Sequence, residues 1–267
     1  MFGPIRRVAG ILTPKTITLG TALALASVSG LYALKVRNRI RQTNPGQIQS
    51  SLKLSDSFNK SHTIRNLVNP RNHVTKGDSH SIVLTLCPKH GAPSEEDVLS
   101  TFLKGFFAGP VFLPEGIALS LFSILKVSYS QLVPTPDQRP IWRSKQLSDT
   151  QLPPKGTTLW DTFQIAESKL SSKQAKERTG SSVDVVFGDC ESEFAGCHRF
   201  SVQKASDGNG PEEDGIRFRV SLECLVCNPL TDRQAGSDFL HVLHNKYSYL
   251  LFRDAVAHIK EVFANLA

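Results

Sequence analysis

Residues 1 to 55 contain no Asp or Glu, although eight cations fall there. The formal charge of +7 over 267 residues therefore sits in that segment, and residues 56 to 267 balance 23 cations against 24 anions. A neutral remainder lacks the basic face from which phosphate binding draws its affinity, so no nucleic-acid partner is expected. Cysteine is scarce, with five in the chain and no regular framework, which excludes a disulfide scaffold. No nucleophile elbow, Walker loop, dinucleotide fingerprint or HExxH pair occurs. Those absences remove the common hydrolase, nucleotide and zinc-protease classes, and no cofactor or metal is expected.

What the N-terminus does have is "TITLGTALALASVSGLYAL", Thr16 to Leu34, uncharged and bracketed by Lys15 and Lys35. As a helix it would span roughly 28 Å, enough for a bilayer core. Residues 1–43 are therefore expected to be a single-pass membrane anchor with basic flanks. A cleaved secretory signal shares the pattern, and the acid-free, Arg- and Ser-containing composition is that of a mitochondrial presequence. The expected location is a membrane, mitochondrial or of the endoplasmic reticulum. Residues 44–78 are polar, rich in Ser and Asn and punctuated by "NPG" and "NPRN". They read as a flexible linker.

Residues 79–267 carry the periodicities of an α+β domain. A strand is predicted over Ser79 to Cys87, with Ile82, Leu84 and Leu86 on one face. Ser94 and Asp97 form a capping-box signature for the helix "EEDVLSTFLKGFF". Pro114 and Glu115 open a second helix running to Val127, and the two are expected to be a buried pair. After a proline-rich connection from Ser128 to Gly156, strands are predicted over Thr157–Ser168, Ser182–Asp189, Gly196–Ala205 and Gly215–Cys227. One long helix from about Ser237 ends the chain. In the last strand period two sends Cys224 and Cys227 to opposite faces, so this CxxC is not expected to chelate one ion. His241 and His244, one turn apart, are read as surface or interface histidines rather than metal ligands.

The order of a strand, two helices, several antiparallel strands and a long terminal helix resembles the helix-grip fold of START-like proteins, and "FGDCESEFAGCHRFSV" is similar to uncharacterised START-like families and fungal proteins of unknown function. The resemblance covers Ser79 to Ala267 and implies a curved antiparallel sheet gripping the last helix around an apolar cavity. It implies as ligand-binding residues Phe218, Val220 and Leu222, then Phe200, Val202 and Phe187, with Phe163 and Ile165 from the earlier strand. His198 and Asp161 share strand faces with apolar neighbours and would orient a ligand's polar end. The expected function is a membrane-anchored binding or transfer module for an apolar small molecule, lipid or isoprenoid-like. The alternatives are a cyclase-like enzyme using His198 and Asp161 as acid and base, and an assembly protein with a filled core and an exposed patch around Phe106 to Phe112.

Overall fold

A computed structural model describes residues 29–86, 92–122, 126–134, 138–171, 180–205 and 215–265. Most of the run expected to be an anchor, residues 16–28, lies outside the described residues. The chain is α+β. Helix α1 covers residues 29–41, followed by strand β1 (Gln49–Ser51), helix α2 (Asp56–Asn59), a π-helical turn over Thr63–Val68 and strand β2 (Thr75–Leu86). Helices α3 (Glu95–Ala108) and α4 (Leu113–Phe122) precede β3 (Thr158–Leu159), β4 (Phe163–Lys169), β5 (Ser181–Gly188), β6 (Ala195–Lys204) and β7 (Ile216–Cys227). Helix α5 (Asp238–Asn265) closes the chain. The strands form one antiparallel sheet in the order β1-β2-β7-β6-β5-β4-β3.

The inner face of the sheet packs under α3 and α5. Ile82, Leu84, Val183, Phe200, Val202, Phe218, Val220 and Leu222 meet Phe102, Phe106 and Phe107 of α3 and Phe252, Val256 and Ile259 of α5 in one continuous core. The capping box forms as the sequence predicts: Ser94 Oγ accepts from Asp97 N at 3.1 Å, and Asp97 Oδ2 accepts from Ser94 N at 2.9 Å. The expectation that the second helix is buried is only half met. Helix α4 is buried at Gly116 and Leu119 alone, while Leu113, Ile117, Leu121 and Phe122 are exposed. Phe106, Phe107 and Phe112, expected as a patch on the assembly reading, are instead buried.

Residues 44–78 are not a loose tether. Phe58, Ile64, Leu67 and Val68 are buried against Val186, Cys197, Leu225 and Cys227 on the outer face of the sheet, forming a second core. Polar residues on that face seat the segment. Glu223 accepts from the backbone N of Ser55 at 2.6 Å and from its hydroxyl at 2.9 Å. Arg199 pairs with Asp184 through two hydrogen bonds of 2.6 and 2.7 Å, donates to Ser57 O at 3.1 Å, and lies 4.8 Å over the Phe58 ring. Alternation alone reports a polar outer face; it does not report that a polar-looking segment covers it.

The basic stretch after the apolar run is docked as well. Arg39 Nε donates to Asp254 Oδ1 of α5 at 2.9 Å, Thr43 Oγ1 donates to Arg253 O at 3.0 Å, and the Tyr32 hydroxyl donates to Pro110 O. Asp254 Oδ2 also accepts from Val111 N at 2.8 Å. Among the described residues no single helix is long and apolar enough to cross a membrane; the α3–α4 pair, bent by 66°, passes by length and composition only.

Asp254 thus joins α1, the α3–α4 corner and α5. Removing one partner of a buried pair leaves the others unsatisfied, and Arg39 is only partly exposed. Asp254→Ala is expected to cost about 3 kcal/mol in urea unfolding, and Asp254→Asn, which keeps an acceptor for Val111 N, distinctly less.

Candidate functional site

The end of the sheet that faces the α3–α4 corner does not close completely. A pocket of about 180 Å³ lies there between the sheet and the helices. Its strand-side wall is Phe163 of β4, Phe187 and Gly188 of β5, Phe194 and His198; its helical wall includes Phe106, Phe112, Glu115, Tyr247 and Leu251. The rings interlock edge to face, Phe163 with Phe187 at 6.0 Å and Phe106 with Phe107 at 4.9 Å between centroids. A tight turn precedes β4 beside this wall. Trp160 and Asp161 both take positive φ, 49° and 57°, and this break separates β3 from β4 in what alternation predicts as one strand.

Polar groups gather along one transverse row of the sheet. In register, Asp78 of β2 pairs with Cys224 of β7, and Cys224 with His198 of β6. All three are buried on the inner face. Helix α5 lays His244 and Ser248, one turn apart, over this row. Ser248 Oγ donates to Asp78 Oδ2 at 2.9 Å, and Cys224 Sγ lies 3.3 Å from His244 Nε2. His80 Nε2 lies 2.9 Å from Asp78 Oδ2 in an orientation that makes no hydrogen bond, while its Nδ1 meets Ser50 Oγ at 2.9 Å. Asp78 Oδ1 and His198 Nδ1, like His80 Nε2, are buried polar atoms of this cluster with no hydrogen-bond partner.

Burial sets the electrostatics. It pushes His198 down to about 3, helped by His244 and opposed by Asp78, so the ring is neutral. Burial lowers His244 as well, against the pull of Asp78. It pushes the Cys224 thiol well up, with Asp78 adding to the shift. Glu115, which accepts from the Tyr247 hydroxyl at 2.6 Å, is raised by burial beyond what that bond recovers.

Of the residues the sequence singled out, Phe163, Phe187 and His198 line the pocket. Phe200, Phe218, Val220 and Leu222 share the correct face but are fully enclosed in the packed core, as are Val202 and Ile165. Asp161 is in the turn before β4, where its carbonyl accepts from Val127 N at 3.0 Å, and it is not among the pocket residues. It is not brought together there with His198, so this acid–base pair does not assemble. Cys224 and Cys227 do point to opposite faces: Cys227 Sγ donates to Val68 O in the outer core. Sequence reading missed Asp78 and His80, which share strand parity with Ile82 and Leu84. It also missed the helical contributions of Phe106, Phe112, Glu115, Tyr247 and Ser248. No protein-family model, curated protein or solved structure matches this chain.

The neutral burial of His198 has a measurable consequence. Its folded pKa lies below the ordinary 6.5, so the folded state holds fewer protons and the stabilisation is complete above that value and lost as pH falls. Between about pH 7 and about pH 5 the loss is expected to be about 2 kcal/mol. Urea midpoints at the two pH values should show it, and His198→Leu should remove most of that slope.

Proposed function

We propose that this chain is a small-molecule-binding protein of the helix-grip, START-like kind, held at a membrane by its N-terminal segment. The observation that carries the reading is His198: a neutral, buried ring with an unpartnered Nδ1 in the wall of a largely apolar, aromatic-rich pocket. Buried polar atoms are ordinarily paired, and a few convergent polar groups in an apolar concavity are what orients a ligand. The strand order, with two helices inserted after β2 and α5 packed over the sheet's inner face, supports the helix-grip part.

Size narrows the ligand. An apolar cavity of about 150 Å³ accepts benzene, and pockets for drug-sized ligands start at about 300 Å³. At about 180 Å³ the pocket suits a compact one- or two-ring compound, or the head of an isoprenoid, with one polar group against His198. It does not enclose a two-chain lipid. The membrane part rests on the uncharged run Thr16 to Leu34 and on the exposed apolar side chains Leu31, Leu34, Ile117, Leu121 and Phe122. An enzyme reading has no acid–base pair formed by His198 and Asp161, and a filled-core reading leaves this pocket without a role.

Native mass spectrometry of the full chain released from membranes, followed by titration with one- and two-ring aromatic probes, tests the proposal. A compact passenger or micromolar probe binding is expected. Thr162 also lines the pocket and is buried, and Thr162→Phe, which adds bulk to that wall, should weaken binding at least about tenfold, the loss of roughly 1.4 kcal/mol. Absence of any passenger and of all probe binding would refute it.

A further inference from the structure

The transverse row contains more than a ligand pocket requires. Asp78, Cys224 and His244 each offer one ligating atom, and those atoms all lie within 4.8 Å of one another. We propose that these three side chains form a binding site for a zinc-type divalent cation, with the fourth position turned to the pocket. The site adjoins the pocket through His244, but cation binding requires neither a bound ligand nor a membrane.

The cluster is slightly wider than a zinc site, so the ligands would draw together on binding. Zinc bonds of about 2.0 to 2.3 Å in a tetrahedron put ligand atoms roughly 3.3 to 3.6 Å apart. Cys224 Sγ is 3.3 Å and Asp78 Oδ1 3.8 Å from His244 Nε2. A thiol-to-imidazole hydrogen bond would account for Cys224 and His244 alone. It leaves Asp78 Oδ1 buried and unpaired, the costliest state for a carboxylate oxygen. Cation binding gives that oxygen its partner.

The surrounding contacts are those that orient a metal-binding carboxylate. Ser248 donates to Oδ2, and His80 stands beside the same oxygen, so Oδ1 is the atom left facing His244 and Cys224. The thiolate selects a borderline-soft ion over magnesium or calcium. Charge also balances: one thiolate and one carboxylate neutralise a divalent ion, and binding releases the Cys224 thiol proton to solvent. Three protein ligands with one position open is the arrangement of zinc sites that engage a small molecule. His244 and Ser248 are shared with the pocket wall, where the His198 ring stacks against that of His244 at 6.3 Å between centroids.

The test uses the full chain, produced without a polyhistidine tag, stripped with chelator and titrated with cobalt(II) and then with zinc. One equivalent of cobalt giving tetrahedral visible bands and a sulfur-to-cobalt charge-transfer band, displaced by zinc, is the expected result. Cys224→Ser should abolish the charge-transfer band. His244→Ala, at a partly exposed helix position and with folding checked by circular dichroism, should weaken affinity by more than about 100-fold, beyond what loss of an outer-shell contact costs. Cys227→Ser, on the other face, should bind as the parent does. Failure of the parent to bind either ion saturably, or a charge-transfer band that survives in Cys224→Ser, would overturn the proposal.

Discussion

A carboxylate withdrawn from water fixes the helical layer. Asp254 is 1 % exposed, and burial raises its pKa even with Arg39 at 2.9 Å. Such a group is tolerable only where its oxygens are fully engaged, which here means Arg39 from α1 on one and the Val111 N–H on the other. The corner between α3 and α4 is built around it. A side chain at Gly109 would bring its Cβ to 2.3 Å from Asp254 Oδ2, so the approach needs glycine. A second close approach locks the same layer: at Gly105 a Cβ would meet the Ala255 backbone at 2.8 Å, where α3 crosses α5. Phe112 and Glu115 follow directly from this corner, and both face the pocket. The pocket's roof therefore inherits its position from a polar clamp outside the pocket, and apolar contacts fill in around it.

The inner face of the sheet shows where chemistry is concentrated. The neighbouring row, His80, Leu222, Phe200 and Val183, has one polar residue at the β2 edge and is otherwise apolar. The row beside it runs Asp78, Cys224, His198 and only then Val185. Three adjacent polar residues, each buried, oppose the ordinary economy of a core, where each unpaired polar atom costs on the order of 1–3 kcal/mol. The helix above matches them with His244 and Ser248 at a spacing of four residues, the separation that stacks two side chains on one helical face. The agreement of strand register and helical period at one place marks the row as a site.

Much of this architecture is legible in the sequence. The alternation of β7 fixes its inner face to the residue, and the Ser94–Asp97 capping box marks the start of α3 within one position. Period two also brings out Phe163, Phe187 and His198, because all lie on strands with clear partners. It fails where polarity imitates a loop. Asp78 and His80 are in a stretch of Lys, Gly, Asp, Ser and His, and the predicted strand begins one residue too late to include Asp78. Parity with Ile82 holds the signal, but only burial gives it meaning. Residues 44–78 mislead for the same reason: their apolar residues, Phe58, Ile64, Leu67 and Val68, are too widely spaced for one period, yet they cover the polar outer face through Arg199 and Glu223. The division between cavity and core among Phe187, Phe200, Phe218 and Leu222 depends on which of them α3 and α5 reach, and no strand pattern contains that.

Docking of residues 32–43 changes what the proposed anchor would do. A flexible tether of some thirty residues would let the domain roam a nanometre-scale hemisphere above a bilayer, with the pocket facing any direction. Here the chain leaves α1 with Tyr32, Arg39 and Thr43 already bound to the α3–α4 corner and α5. Under the proposed membrane reading, the uncharged run would therefore enter the bilayer beside that corner, with its last residues, Leu31 and Leu34, exposed on the docked helix. The exposed side chains of α4, Ile117, Leu121 and Phe122, belong to the helix that follows the same corner. An apolar helix face left uncovered is costly in water and stabilised at a lipid interface, where each buried methylene returns about 0.8 kcal/mol. On that reading the restraint on α1 and the exposure of α4 would have one consequence: the domain would be held in a single orientation, with the pocket's helical wall, Phe112 and Glu115, on the side nearest the membrane.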